Sequence, residues 1–176
     1  MQHNLQRKDR AMTSEETWKL LERGFTGRLG TADAEGWPYV VPLSYAVHNG
    51  AVYFHHTQSP ASHLKVNVEA NPRVCFEVDE PGIIFPTADN APCETSVSFE
   101  SVILYGHCTK VTDPAEKLAF FRTLMAKYAD PSWERPDVWP MADITAVYRV
   151  SVERITGKRR PVKVAAQWQD QFPGQA

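Results

Sequence analysis

The sequence lacks several features that would assign it to a common class of protein. It has no run of about 18 apolar residues, the length that a membrane-spanning helix needs. Its three cysteines, Cys75, Cys93 and Cys108, form no paired framework of the secreted kind. The first ten residues are polar and charged, unlike a secretory signal. We therefore expect a cytoplasmic protein with reduced thiols and no membrane partner.

An excess of basic charge and the common phosphate-binding motifs are also missing. The formal net charge is −2, whereas nucleic-acid-binding domains usually carry a basic surface or stripe. The short run Lys158-Arg159-Arg160 does not change this expectation, and we expect no nucleic-acid partner. The chain contains neither a Gly-x-Gly-x-x-Gly turn nor a Gly-x-x-x-x-Gly-Lys-Ser/Thr loop. Any bound nucleotide must be held by a different arrangement of residues.

The spacing of the histidines and serines disfavours a metal centre and a serine hydrolase. His55 and His56 are neighbours on a predicted strand, so their side chains point to opposite faces. No Cys-x-x-Cys, His-x-x-x-His or His-Glu-x-x-His spacing occurs. Ser44, Ser62 and Ser101 lack the Gly-x-Ser-x-Gly elbow that exposes a nucleophile. We expect no metal ligands among these residues.

The length and the residue pattern predict one mainly β domain. The chain has 176 residues, 43% of them hydrophobic and 23% charged, which suits a soluble domain with a real core. We predict this domain over residues 1–158 and a C-terminal tail over 159–176. Six strands are predicted over residues 25–32, 37–47, 51–56, 73–79, 96–111 and 144–155. Long strands linked early by hairpins, without βαβ alternation, favour a barrel.

The connecting segments complete this prediction. Helices are expected after Thr13 and Asp113, which resemble N-caps, and in the segment 58–70. Residues 81–95 contain several prolines and are predicted to form a loop. Pro38 and Pro42 cannot donate ladder hydrogen bonds, so the second strand is expected at an edge of the sheet or where its backbone faces something other than a strand.

The junction between the third strand and the following helix has the composition of a phosphate-binding site. The amides at a helix N-terminus attract anions, and nearby hydroxyl and cationic side chains complete such a site. An ordinary helix cap with a solvated lysine accounts for the same residues equally well. The residues alone leave both interpretations open; they are His55, His56, Thr57, Ser62, His63 and Lys65.

Several segments together resemble one known family. They are RKDR (7–10), GRLGT (27–31), GWPYVVPL (36–43), VYFH (52–55), NPRVCFEV (71–78), ESVI (100–103) followed by Gly106, and ERITGK (153–158). In this order they resemble the pyridoxamine 5′-phosphate oxidase-like, FMN-binding split-barrel proteins, and within them the nitroimidazole-resistance branch. The resemblance extends from about Arg7 to Lys158.

The resemblance implies a fold, a ligand and a set of contacts. The expected fold is a six-stranded antiparallel split β-barrel with flanking helices, which forms a homodimer with one FMN in each of two clefts between subunits. The second strand would give the flavin ring backbone hydrogen bonds, and the junction would hold the ribityl chain and the phosphate. Plain core packing remains an alternative for Val41 and Leu43. The implied contacts are Val40, Val41, Pro42, Leu43, Ser44, His55, His56, Thr57, Ser62, His63 and, on the long strand, Ser101.

One departure from the family pattern affects the phosphate. The oxidases have Ser-Arg-Lys where this chain has Ser62-His63-Leu64, and Lys65 follows one position later, about 100° around a helix. The phosphate would lose one or two charge-assisted hydrogen bonds, each worth roughly 1.5–3 kcal/mol. Lys65 or Arg28, the latter from either subunit, is expected to compensate. A larger flavin or haem remains an alternative ligand.

The expected activity is that of a flavin-dependent oxidoreductase. FMN would pass electrons to a small-molecule substrate, either a nitroaromatic compound or a pyridoxal-type ring, with His55 as a polar contact beside the flavin. The alternative is a non-catalytic protein that stores, carries or senses flavin or haem. A dimeric scaffold with an empty cleft is the third possibility.

Overall fold

The computed structural model describes residues 7–87, 95–134 and 138–163 of the chain. A 3₁₀ turn at Lys8–Arg10 precedes three α-helices and seven strands in these ranges. The helices are α1 (Ser14–Arg23), α2 (His63–Ala70) and α3 (Pro114–Tyr128). The strands are β1 (Gly27–Ala32), β2 (Pro38–Leu43), β3 (Tyr45–His48), β4 (Ala51–His56), β5 (Arg73–Pro86), β6 (Thr95–Lys110) and β7 (Ala146–Arg160).

All seven strands belong to one antiparallel sheet with the order β2-β1-β5-β6-β7-β4-β3. The two end strands are consecutive in the sequence and are separated only by Ser44. Pro42 pairs with Arg28 of β1, whereas Tyr45 pairs with Phe54 of β4, so one segment serves both ends of the sheet. The predicted split-barrel class is confirmed. Seven strands replace the predicted six because the second strand is divided at Ser44.

The division at Ser44 has a physical cause in α3. The amide of Tyr45 donates a hydrogen bond to the hydroxyl of Tyr128, 3.2 Å away. That hydroxyl donates to the carbonyl of Phe25 at 2.6 Å and lies 3.1 Å from the carbonyl oxygen of Tyr45. The backbone groups of Tyr45 are thus engaged by a side chain at the point where the strand changes partners.

Inward-facing side chains of the sheet form the main core. Leu29, Phe54, Phe76 and Leu104 are fully buried there, and α1 adds residues from its apolar side. The start of α1 is fixed as predicted, since Thr13 accepts from the amide of Glu16 while the Glu16 carboxylate accepts from the amide of Thr13. Of the helices in the described ranges, none has the length and apolar character needed to cross a membrane.

A second, smaller core lies under α3. Phe120 is fully buried against Ala46, Tyr53 and Val147, which belong to β3, β4 and β7. α3 starts at Pro114 because Asp113 accepts from the amide of Ala115 at 3.1 Å. The two faces of β4 are therefore both covered, one by the main core and the other by α3.

One predicted loop was wrong. Residues 81–86 continue β5 instead of forming a loop, because the amide of Ile83 donates to the Ser98 hydroxyl at 2.9 Å across a register shift. Residues 88–94 of that predicted loop, including Cys93, lie outside the described residues. β7 runs to Arg160 and so contains the first two residues assigned to the tail. The domain division at residue 158 stays a prediction, and residues 164–176 lie outside the described ranges.

Candidate functional site

The junction between β4 and α2 brings two of the predicted phosphate-binding residues into contact. His56 is the last residue of β4, and Ser62 is the N-cap of α2. The Nε2 atom of His56 lies 2.9 Å from the Oγ atom of Ser62. The same Oγ atom accepts a hydrogen bond from the amide of Lys65 at 3.3 Å. The strand end and the helix start are thus joined through one hydroxyl group.

The first turn of α2 has backbone donors without intrahelical acceptors. His63 and Leu64 occupy its first two positions, where an amide has no carbonyl of the same helix to bond. The partial positive charge of the helix N-terminus adds to this preference for an anion. The ring of His63 packs edge to face against that of Tyr39, with centroids 5.5 Å apart. Tyr39 belongs to β2, so this strand lies beside the junction.

The side chains at the junction carry little positive charge. Burial lowers the pKa of His56, and the neighbouring His55 lowers it further, so the His56 ring is neutral at pH 7. Leu64 is fully buried and fills the position at which the oxidases have lysine. Lys65 pairs with Glu69 at 2.8 Å. The junction can therefore bind an anion chiefly through amides, a hydroxyl and neutral imidazole.

The remaining residues predicted near this junction are partly dispersed. Thr57 follows β4 in an exposed loop, where its Oγ1 atom accepts from the amide of Ser59 at 3.2 Å. His55 lies on the other face of β4, with its ring centroid 6.4 Å from that of Phe120. Although the side chain is exposed overall, partial burial of the ring lowers its pKa. The expected opposition of His55 and His56 on β4 is confirmed.

Arg28 and Ser101 lie on the outward face of the sheet. Arg28 pairs with Glu77 at 3.0 Å and with Asp79 at 2.5 Å on the adjacent strand β5. Ser101, in β6, stands opposite Asp79 of β5 and Lys158 of β7. Within this chain neither residue contacts the junction, and the Arg28 guanidinium group is already engaged by two carboxylates.

β2 presents two different sides to its surroundings. Val41 and Leu43 pack against the main core, which agrees with the core-packing alternative for their side chains. Val40 and Pro42 point outward and are exposed, and Ser44 is exposed at the break. β2 is an end strand of the sheet, as its prolines predict.

An outward groove next to β2 was missed by sequence reasoning. It has a volume of about 670 Å³, and its lining includes Pro38, Cys75, Tyr105 and Arg154. The Arg154 guanidinium group lies 4.4 Å from the Tyr105 ring centroid. Burial raises the pKa of the Cys75 thiol, against the opposing effect of a hydrogen bond with Tyr105. These residues come from separate strands, so only the pairing register brings them together.

No cluster of metal ligands accompanies the junction or the groove. Within the described ranges, no group of three or more His, Cys, Asp or Glu side chains is placed to hold a metal ion. Cys75 and Cys108 are both free thiols.

Comparison with known protein families shows which family the chain belongs to. A family model described as pyridoxamine 5′-phosphate oxidase matches residues 13–159, which include all seven strands except the last residue of β7. The chain belongs to the pyridoxamine 5′-phosphate oxidase family. The resemblance inferred from the seven short segments is thereby confirmed. Among curated protein sequences, none matches this chain.

Solved structures related to this family share the fold. A proposed 5-nitroimidazole antibiotic resistance protein from Bacteroides thetaiotaomicron is 23% identical, with a TM-score of 0.69 over 85% of this chain and 86% of that chain. An FAD-binding protein from Mesorhizobium loti is 25% identical, with a TM-score of 0.62 over 86% and 97%. The flavocytochrome Anf3 from Azotobacter vinelandii is 21% identical, with a TM-score of 0.75 over 98% and 79%.

Proposed function

We propose that this member of the pyridoxamine 5′-phosphate oxidase family binds FMN, with the phosphate at the junction of β4 and α2. The observation that carries the proposal is the contact between His56 and Ser62 at the start of α2. It places a hydroxyl and an imidazole beside the acceptor-free amides of His63 and Leu64, and such a group of donors suits a phosphate.

The strand β2 is the proposed support for the flavin ring. It is an end strand, so its second backbone edge has no ladder partner among the described strands. Tyr39 links this strand to His63 at the junction. Backbone groups between Val40 and Ser44 would bind the polar edge of the ring. When bound, the flavin supplies hydride or electron transfer, and the chain supplies binding and orientation.

The names of the structural neighbours support a flavin as the ligand class. The Mesorhizobium loti protein is described as FAD-binding, and the Azotobacter vinelandii protein as a flavocytochrome. A third neighbour, from Mycobacterium smegmatis, is described as binding FAD and haem, with 13% identity and a TM-score of 0.70. We infer FMN for this chain because the junction offers one compact anion site next to β2.

A second copy of the chain is proposed to complete the cleft. Ser101 and Arg28 lie on the outward face and do not contact the junction of their own chain. Trp37, Val40 and Pro42 are exposed beside the same face, which is a surface that a partner subunit would cover. In a homodimer, Ser101 of the partner subunit would then face the flavin.

The proposed reaction is flavin-dependent reduction of a small acceptor with a nitroaromatic or pyridoxal-type ring. His55 remains our proposal for a polar contact beside the flavin, on the α3 face of β4. Its pKa is lowered by partial burial, so its ring is neutral at pH 7 and can donate or accept one hydrogen bond. We place the reaction in the cytoplasm, where the Cys75 and Cys108 thiols would stay reduced.

The test begins with the purified protein. Its pigment, if any, is released and identified, and the apoprotein is titrated with FMN, FAD and haem. We expect FMN to bind with one molecule per chain in a dimer. Turnover of reduced nicotinamide cofactor with a nitroaromatic acceptor, above the rate with free FMN, supports the oxidoreductase. Bound flavin without turnover identifies a carrier, and no flavin uptake contradicts the proposal.

A charge variant locates the phosphate. His63→Glu brings a negative charge to the start of α2 and should weaken FMN binding at least tenfold. His63→Gln removes the imidazole without adding charge and is the matched control, for which we expect a smaller effect. Equal affinities of both variants and the unaltered protein would move the phosphate away from this junction.

A further inference from the structure

Two basic segments from opposite ends of the described chain lie side by side. One is the 3₁₀ turn with its preceding residue, Arg7 to Arg10, and the other is the end of β7 with the residues after it, Arg160 to Lys163. Backbone contacts hold them together. Ala11 and Lys158 form an isolated antiparallel β-bridge, and the amide of Met12 donates to the carbonyl of Gly157 at 3.0 Å. The position of both segments is therefore fixed by the sheet.

A groove of about 490 Å³ runs between these segments. We call it the basic groove; it is lined by Arg7, Asp9, Arg10, Phe85, Thr87, Arg160, Pro161 and Lys163. Four of these side chains are cationic, and Asp9 is the one carboxylate among them. None of them belongs to the junction of β4 and α2 or to the outward groove beside β2.

Asp9, the one carboxylate in the lining of the basic groove, already forms an ion pair with Arg7. Arg7 donates two hydrogen bonds to Asp9, from Nε at 2.9 Å and from Nη2 at 2.7 Å. This pairing lowers the pKa of the Asp9 carboxyl to about 2. Among the described residues, Arg10, Arg160 and Lys163 form no ion pair with a carboxylate within about 4 Å. In the part of the chain that the structure describes, the groove therefore keeps more cations than carboxylates, although the charge of Arg10 also acts on Asp9 and Arg160 also lines a pocket with Glu80 and Glu100.

The floor of the groove restricts one of these cations. The Phe85 side chain is 1% exposed, and the Arg160 guanidinium carbon lies 5.8 Å from its ring centroid. A guanidinium group near an aromatic ring gains a cation–π attraction and loses freedom of motion. Its planar set of donors is suited to bidentate hydrogen bonds with phosphate oxygens.

We propose that the basic groove binds the diphosphate group of a small molecule. Like charges held close together repel, and a ligand of opposite charge relieves that repulsion. A diphosphate carries about three negative charges near neutral pH, which matches Arg10, Arg160 and Lys163. The groove also has a volume within the range of small-molecule sites and is larger than a single phosphate needs. This site is independent of the proposed flavin site.

Isothermal titration with inorganic pyrophosphate tests the proposal. The protein is first saturated with FMN, so that the proposed flavin site is filled; if FMN does not bind, the titration is done without it. We expect one pyrophosphate per chain, bound at least tenfold more tightly than inorganic phosphate or sulfate, with an affinity that falls as salt rises. Parallel titration with adenosine diphosphate asks whether a nucleoside diphosphate is accepted.

Charge-neutralising variants locate the ligand. Arg160→Gln and Arg10→Gln should each weaken pyrophosphate binding at least tenfold while FMN binding is unchanged. Lys110→Gln removes a charge from an exposed residue at the end of β6 and should leave pyrophosphate binding intact. If Arg160→Gln does not fold, as judged by its thermal transition, Lys163→Gln beyond the end of β7 replaces it.

Several outcomes would overturn the proposal. They are the absence of binding at 1 mM pyrophosphate, equal losses in Lys110→Gln and the groove variants, and displacement of FMN by pyrophosphate. The last result would assign the anion to the flavin site. Binding of a short oligonucleotide in the groove at lower concentration than pyrophosphate would identify a nucleic-acid strand as the ligand and would also reject the proposal.

Discussion

His56 Nε2 and Ser62 Oγ lie 2.9 Å apart, although five residues separate the end of one regular element from the cap of the next. The Ser62 hydroxyl group accepts a hydrogen bond from the amide of Lys65 in α2 and also lies within hydrogen-bond distance of the His56 imidazole. A change at Ser62 therefore acts on the stability of α2 and on the proposed phosphate site through the same oxygen atom.

Replacement of that oxygen is the first prediction. Ser62→Ala removes an N-cap worth about 1 kcal/mol and should lower Tm by about 2–4 °C. It should also weaken FMN binding roughly tenfold, because a hydrogen bond to a charged phosphate is lost. Fluorescence titration and thermal unfolding measure the two effects. Ser62→Thr, which keeps the hydroxyl, should restore most of both, whereas Ser14→Ala at the exposed start of α1 should change neither. Unaltered FMN affinity in Ser62→Ala would separate the flavin from α2.

The second prediction concerns pH. Burial lowers the pKa of both His55 and His56 below the usual value of 6.5, so the unfolded chain binds more protons at acidic pH. Their contribution to stability is full above the usual pKa of 6.5 and is lost as the pH falls below it. Urea unfolding at pH 7.5 and 5.5 should show this loss, and the double variant His55→Gln, His56→Gln should reduce it. An identical loss in the double variant would assign the acid sensitivity to other groups.

Lys127 gives a third prediction, of increased stability. Its Nζ atom lies 3.6 Å from the Tyr45 ring centroid and has no hydrogen-bond partner in the described chain. Burial lowers the pKa of this amine to about 8, against the opposing charge of Glu22. Below pH 8 the folded protein must bury the ammonium group, so Lys127→Met should raise stability by about 1 kcal/mol and Tm by a few degrees.

The pH dependence of stability and a control variant test whether burial of the Lys127 ammonium group is the cause of this gain. The folded amine loses its proton near pH 8 and the unfolded amine near 10.5, so stability of the unaltered protein rises between these values. The advantage of Lys127→Met should shrink over the same interval. Lys19→Met removes an exposed lysine paired with Glu15 and should give no such gain. A lower Tm in Lys127→Met would show that the cation–π contact outweighs the cost of burial.

The fourth prediction concerns the contact of α3 with the sheet. Tyr128→Phe leaves the amide of Tyr45 without its acceptor and should cost about 1–3 kcal/mol. Chemical denaturation measures the loss. Tyr148→Phe is the matched control, because the Tyr148 hydroxyl has no hydrogen-bond partner among the described residues. Equal stabilities of the two variants would mean that water replaces Tyr128 at the strand break.

The sequence predicted those features that depend on nearby residues. The cap of α1 pairs Thr13 with Glu16, three residues away, and the start of α3 needs only Asp113 and Pro114. The strand over residues 51–56 has the predicted bounds. The contact of His56 with Ser62 is also local, since five residues separate the end of β4 from the cap of α2.

The missed features depend on distant residues. The break at Ser44 requires Tyr128, which is 83 residues from Tyr45 in sequence. The extension of β5 beyond Pro81 requires the Ser98 hydroxyl on the next strand. The basic groove joins charges near both ends of the described chain, and the short run Lys158-Arg159-Arg160 had suggested no partner when considered alone. Periodicity carries no information on such pairings.

The single segment shared by the two ends of the sheet has a mechanical consequence. Between Leu43 and Tyr45 no ladder hydrogen bond continues the barrel wall, since the ladders diverge there to β1 on one side and β4 on the other. Rotation about the two peptides that flank Ser44 breaks no ladder hydrogen bond. The hydroxyl of Tyr128, which is hydrogen-bonded to the backbone of Tyr45, is therefore expected to limit how far the two ends of the sheet move relative to each other.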